Sequence, residues 1–187
     1  EFKHMCKKLI ITISIFCLYL SNVSTEEKII KSLQNGGNII FIRHAMAPGS
    51  GDPENFKLND CSTQRNLNHE GIKQSKKIGL FFIRNKIPVE KVLSSEWCRC
   101  KDTAKYAFKN YITFNALNSF FSEKFRKNKD KQIFELKNYL KTWKGNENIV
   151  LVTHYVVILD LLNKTTASGE IVFTDKKLNY LGSITKY

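Results

Sequence analysis

Two segments constrain the fold more than anything else in the chain: Asn38-Ile-Ile-Phe-Ile-Arg-His44 and Asn148-Ile-Val-Leu-Val-Thr-His154. Each holds an uninterrupted apolar run without polar alternation, the mark of a strand buried on both faces in a parallel sheet covered by helices. Each delivers a histidine at its carboxyl end. Open α/β sheets bind their ligands at the carboxyl ends of the strands, so both imidazoles are expected in one crevice. Either histidine alone would serve as a hydrogen-bonded core residue, but the pair in equivalent places points to a site. With 187 residues and 42% hydrophobic side chains, the chain can fill such a core. Disorder, collagen-like repeats and a disulfide-only scaffold are excluded.

The remaining pattern fits this frame. Residues 26–35 read as a short amphipathic helix with Ile29, Ile30 and Leu33 on one side, stopped by Gly36 and Gly37. Helical spacing recurs over 70–85, 97–110, 129–143 and 155–162. Short strands are expected over 91–94, 112–114, 170–173 and 178–185, and residues 45–68 form a long loop. Alternating strands and helices predict a three-layer α/β/α sandwich with a largely parallel central sheet, one domain over 25–187.

The start of the chain reads differently. After Met5 come Cys6, Lys7 and Lys8, the apolar run Leu9 to Leu20, and the polar stretch Ser21 to Thr25, the three-part pattern of a secretory signal. The apolar run is shorter than the about 20 residues that a membrane span needs. Residues 1–24 are therefore expected to be a signal peptide with a short upstream remnant, cleaved near Ser24 or Thr25. A periplasmic or secreted location follows, with membrane contact only through the signal if uncleaved. Export would place Cys61, Cys98 and Cys100 in an oxidising compartment, where Cys61 can bridge to one of the other two. Those two lie two apart on a helix, so only one can face the loop that carries Cys61.

The formal net charge of +13 comes from 25 Lys and only five Arg, alongside 17 Asn and 19 Ile. Such a joint excess reads as a solvated basic surface, and no nucleic-acid partner is expected. The arginines are placed individually. Arg43 adjoins His44, Arg99 follows Ser94-Ser95 on the first turn of a helix, and Arg65 lies in the long loop. A guanidinium presents a planar, permanently charged fork suited to phosphate oxygens, so these residues and the two histidines form a phosphate pocket holding a nucleophile. The three cysteines lack the partners for a zinc site, and no Gly-rich phosphate loop occurs. Phe81, Phe82, Phe120 and Phe121 read as core rather than base-stacking platforms.

The segments Arg43-His44-Ala45, Ser94-Ser95-Glu96-Trp97-Cys98-Arg99-Cys100-Lys101-Asp102-Thr103-Ala104 and Val152-Thr153-His154 together resemble the ordered motifs of the histidine phosphatase superfamily, the phosphoglycerate mutase-like proteins, in an exported bacterial-type branch. Ala45 stands where glycine more often follows the histidine. The resemblance implies a phosphohistidine mechanism without metal or other cofactor. His44 attacks the phosphorus, while Arg43, Arg99 and His154, with Arg65 as a further substrate contact, hold the oxygens. Water then releases the phosphate. Asp52, Glu96 and Glu123 are the candidate proton donors, although some members acting on good leaving groups need no carboxyl donor. The implied function is an exported, metal-independent phosphomonoesterase of the histidine acid phosphatase type, acting on a phosphorylated small molecule or envelope glycan. A phosphomutase and a non-catalytic anion-binding module are the alternatives on this fold.

Overall fold

The structure, a computed structural model, describes residues 27–187, and the signal sequence expected over 1–24 lies outside them. Six strands form one sheet: β1 (Ile39–Arg43), β2 (Val89–Ser94), β3 (Ile112–Thr113), β4 (Asn148–Thr153), β5 (Ile171–Thr174) and β6 (Tyr180–Ile184). Their spatial order is β3-β2-β4-β1-β5-β6. The first four strands are parallel, and β5 and β6 close one edge antiparallel. The two histidine-ended segments lie side by side at the centre, with Ile39 opposite Ile149 and Arg43 opposite Thr153. The parallel pairing puts both carboxyl ends on the same edge of the sheet.

The apolar runs are continuous because both faces are covered. Helix α1 (27–35), α2 (His69–Arg84) and α3 (Cys98–Phe108) lie on one face, where Ile40, Ile42, Val150 and Val152 pack with Leu33, Ile78, Phe82 and Ala104. Beyond the one-turn α4 (Glu123–Arg126), α5 (Lys129–Thr142) and α6 (Tyr155–Leu162) cover the other, where Ile39, Phe41, Ile149 and Leu151 meet Leu136, Leu140 and Ile158. Successive strand side chains point to opposite faces, so each run feeds both layers. Burying each such side chain contributes about 1.5–3 kcal/mol.

The amino ends of β1 and β4 are joined by paired asparagines. Asn38 donates through its side chain to Oδ1 of Asn148 at 2.9 Å, and the Asn148 amide donates to the Leu33 and Pro88 carbonyls, each at 2.7 Å. Those contacts tie α1 and β2 to the central pair.

Two details depart from expectation. Strand β2 begins at Val89 rather than at residue 91, because an irregularity between Val89 and Lys91 lets pairing to β4 start earlier. The loop over 45–68 is not featureless: it contains a 3-10 turn, Cys61–Thr63, whose cap Asp60 accepts the Ser62 N–H. The loop also presses on α2 at Gly71, where a Cβ would meet the Met46 carbonyl at 2.1 Å, so only glycine fits there.

Candidate active site

The carboxyl ends of β1 and β4 open into a pocket of about 140 Å³ lined by Arg43, His44, Asp52, Arg65, Arg99 and His154 among others. The two imidazoles lie 5.5 Å apart between ring centroids. The β1 main chain runs straight on into His44, whose N–H donates to the Thr153 carbonyl at 2.9 Å. The ring of His44 is then oriented locally. Its Nδ1 lies 2.9 Å from the carbonyl of Ala45. A carbonyl only accepts, so Nδ1 carries the hydrogen and Nε2 keeps its lone pair. No group among the described residues hydrogen-bonds Nε2. Burial, reinforced by the charge of Arg99 and less by Arg65 and Arg43, lowers the His44 pKa to about 3. The ring is therefore neutral across the physiological range.

Ala45 is held by the helix that carries Arg99. Its N–H donates to Oγ1 of Thr103 at 3.0 Å, and that hydroxyl donates to the Arg99 carbonyl at 2.7 Å. The alanine directly after His44 is thus fixed to α3 through its own N–H.

His154 is the residue before the first turn of α6 and is buried. Its Nε2 lies 2.9 Å from Oγ of Ser95 and 3.4 Å from Sγ of Cys100. Burial, then the charges of Arg99, His44, Arg65 and Arg43, hold its pKa well below the ordinary histidine value.

The three arginines reach the pocket from three elements. Arg43 donates to the Thr166 carbonyl and lies 5.7 Å from the Tyr155 ring. Arg65 donates through Nε to the Gly51 carbonyl at 2.8 Å and through a terminal nitrogen to Ala47. Arg99 makes a two-pronged pair with Asp52, at 2.7 Å to Oδ1 and 3.1 Å to Oδ2. The Nε–H groups of Arg43 and Arg99 are buried without an acceptor. Buried donors without an acceptor are costly, and both belong to residues that line the pocket.

The three candidate carboxylates separate clearly. Asp52 lines the pocket and also accepts from Trp97 Nε1 at 3.0 Å and from Arg65 N at 3.1 Å. Burial alone would push its carboxyl up, but hydrogen bonds and charge from Arg99, with the bonds from Arg65 and Trp97, hold it below the usual carboxylate range. Glu96 turns away, its carboxylate accepting from the Asn118 amide at 2.6 Å, and it lines a neighbouring hollow instead. The Glu123 side chain is 89% exposed and sits 3.7 Å from Arg126. Neither Glu96 nor Glu123 lines the pocket, because the turn before α3 and the outer face of α4 aim them elsewhere.

A disulfide joins Cys61 to Cys98, with Cα atoms 5.7 Å apart, and Cys100 stays a buried free thiol. The bridge ties the long loop to the first residue of α3, next to Arg99. Gln64 adds a second tie, accepting the Cys98 N–H at 2.9 Å. Nothing in the sequence pointed to Gln64 or Asn118, and Trp97 and Thr103 stood out only as motif positions, because their contacts exist only once distant segments meet. Among the described residues no group of three or more His, Cys, Asp or Glu could hold a metal ion, and no helix is long and apolar enough to cross a membrane.

No family model matches the sequence, and no curated protein does. Solved structures do match. The chain is similar to the protein histidine phosphatase SixA complexed with tungstate, at 14% identity and TM-score 0.61 over 79% of this chain and 96% of that one. It is similar to the protein TTHB049 of Thermus thermophilus, at 16% identity and TM-score 0.56 over 80% and 99%. A mycobacterial glucosyl-3-phosphoglycerate phosphatase follows at 13% identity and TM-score 0.51 over 73% and 88%. Identities this low speak for architecture: the chain has the histidine phosphatase fold.

Proposed function

We propose that the chain is a metal-independent phosphohydrolase that works through a phosphohistidine on His44. One observation carries the reading. The Nδ1–H of His44 is committed to the Ala45 carbonyl, which leaves the Nε2 lone pair of a neutral ring among Arg43, Arg65 and Arg99. In the reaction Nε2 bonds to phosphorus as the bond to the leaving group breaks, and the guanidinium groups balance the charge on the three equatorial oxygens. Water then attacks the phosphoenzyme, the P–N bond breaks, and His44 is regenerated. Tungstate, which the SixA structure contains, is a tetrahedral oxyanion of the kind this pocket would hold.

The nature of the leaving group is narrowed by Asp52. It is the only candidate carboxylate lining the pocket, and it is held ionised by Arg99, so it is a poor donor of a proton. That favours a second reading within the same chemistry, in which the leaving group departs without carboxylic-acid help, as from a phosphoramidate or an acyl phosphate. A phosphomutase would use the same His44. Export fits the Cys61–Cys98 bridge, since such bonds persist in oxidising compartments, and the secretory pattern of residues 1–24.

The test is turnover of phosphomonoesters, phosphohistidine and acetyl phosphate in the presence of EDTA, with rapid quenching at neutral pH and mass spectrometry of the trapped protein. The expected result is chelator-resistant release of phosphate and an acid-labile phosphate on His44. Full activity in His44→Ala, or activity that EDTA abolishes and a divalent ion restores, overturns the reading.

A further inference from the structure

Ser95 joins His154 to a short hydrogen-bonded chain whose directions can be worked out from its far end. Asn118 donates through Nδ2 to the Glu96 carboxylate at 2.6 Å and accepts at Oδ1 from the Glu96 N–H at 2.8 Å. A carboxylate only accepts and a backbone N–H only donates, so the amide can sit only this way round. The same Oδ1 lies 3.0 Å from Oγ of Ser95, and it only accepts, so the Ser95 hydroxyl spends its single hydrogen on Asn118. The Trp97 N–H donates to Ser95 Oγ as well, at 3.3 Å. At 2.9 Å from His154 Nε2, Oγ therefore has only a lone pair left to offer. The hydrogen of the neutral His154 ring must lie on Nε2. Its Nδ1 is then a bare lone pair, with no hydrogen-bond partner among the described residues, on a ring that lines the phosphate pocket.

We infer that Ser95, oriented by Asn118, is a positioning residue that fixes His154 in its Nε2–H form and so presents Nδ1 to the pocket as a proton acceptor. The inference rests on the phosphohydrolase reading for its consequence, though not for its geometry. In the second half of that reaction a water oxygen bonds to phosphorus and the P–Nε2 bond of His44 breaks, its electron pair returning to Nε2. One water proton passes to Nδ1 of His154, leaving HPO₄²⁻ and an imidazolium that Ser95 still accepts from at Nε2. The proton leaves to solvent when the product does. The pocket thus has a base whose lone pair is free, whereas both oxygens of Asp52 are engaged by Arg99 and Glu96 and Glu123 lie outside it. Opposite nitrogens of the two rings divide the work, Nε2 of His44 bonding phosphorus and Nδ1 of His154 holding the proton.

The decisive measurement needs no turnover. Ring-¹⁵N histidine labelling and two-bond ¹H–¹⁵N correlation spectra of the free protein report which nitrogen of each imidazole carries hydrogen, with His154→Gln supplying the assignment. His154 is expected in the Nε2–H form and His44 in the Nδ1–H form. Ser95→Ala should give a mixture of forms at His154 alone, and Ser95→Thr, which keeps the hydroxyl, should restore the single form. In turnover, Ser95→Ala is expected to lower kcat about tenfold with KM within about twofold, the signature of a lost transition-state contribution. Asn118→Leu should reproduce both changes. An Nδ1–H form of His154 in the parent protein, or a His154 spectrum unchanged in Ser95→Ala, overturns the inference. A protein that shows the expected spectra yet hydrolyses no phosphorylated compound overturns the phosphohydrolase reading instead and leaves the positioning by Ser95 standing.

Discussion

The ends of β1 and β4 start from nearly the same sequence, four buried apolar residues and a histidine after one intervening residue, and finish as opposites. His44 is oriented by its own backbone, through the carbonyl one residue on. His154 is oriented by side chains from two other segments, Ser95 and behind it Asn118. The first arrangement leaves Nε2 open and the second leaves Nδ1 open. Equivalent strand ends thus supply equivalent positions, while the chemistry of each ring is decided by the one nitrogen that the protein occupies.

Removing the rings should show the largest contrast. His44→Ala is expected to lower turnover by about 10⁴-fold or more, because it deletes the proposed nucleophile, and His154→Ala by about 10²- to 10³-fold, as for loss of the proposed proton acceptor. Acid-labile phosphate should appear on the protein in the second variant and not in the first. Equal losses would erase the distinction between the two strand ends.

A smaller effect follows from the low pKa of both rings. The unfolded chain takes up these protons as the pH falls through about 6.5, while the folded His44 resists until about 3. Stability is therefore full above the upper value and is lost progressively towards the lower one. The urea midpoint should fall between pH 6.5 and pH 4, less in His44→Gln and in His154→Gln than in the parent. Inorganic phosphate should flatten the fall, since an anion in the pocket makes protonation of the folded rings easier.

Asp52→Asn acts on Arg99, the cation that lowers both ring pKa values most. Freed from the two-pronged pair, Arg99 should bind inorganic phosphate about fivefold more tightly, on the scale of one ordinary net hydrogen bond. Stability should drop by about 2 kcal/mol, since a largely enclosed guanidinium loses its partner. The parent's advantage disappears as the pH falls through the depressed carboxyl pKa of Asp52, below the usual carboxylate range. Inhibition constants and melts at pH 7 and pH 3 test both parts. The least effect on catalysis is expected from Cys61→Ser: a loss of about 3 kcal/mol in stability with turnover within about threefold, read by calorimetry and initial rates.

What the sequence made legible was local. Two unbroken apolar runs require cover on both faces, and histidine and arginine at strand ends have few structural uses, so the sheet, its centre and four cationic or imidazole groups could be placed without coordinates. The contacts that decide the chemistry join residues far apart. Arg99 and Asp52 are 47 positions apart, and Ser95 and His154 are 59 apart, so no periodicity encodes either pairing. Glu96 and Glu123 were candidates because they neighbour the right motifs along the chain, yet side-chain direction at a helix start is set by the turn before it.

The two cysteines that flank Arg99 show what a helix does to a choice that an extended chain leaves open. Cys98 and Cys100 are about 200° apart around α3, one facing Cys61 and the other buried against the Thr153 carbonyl and the His154 ring. In an unwound chain Cys61 would meet either sulfur with nearly equal chance. Only a wound and docked α3 hides one and offers the other. The helix thus makes the choice of partner: with α3 docked, Cys98 is the sulfur that meets Cys61, and Cys100 is out of its reach.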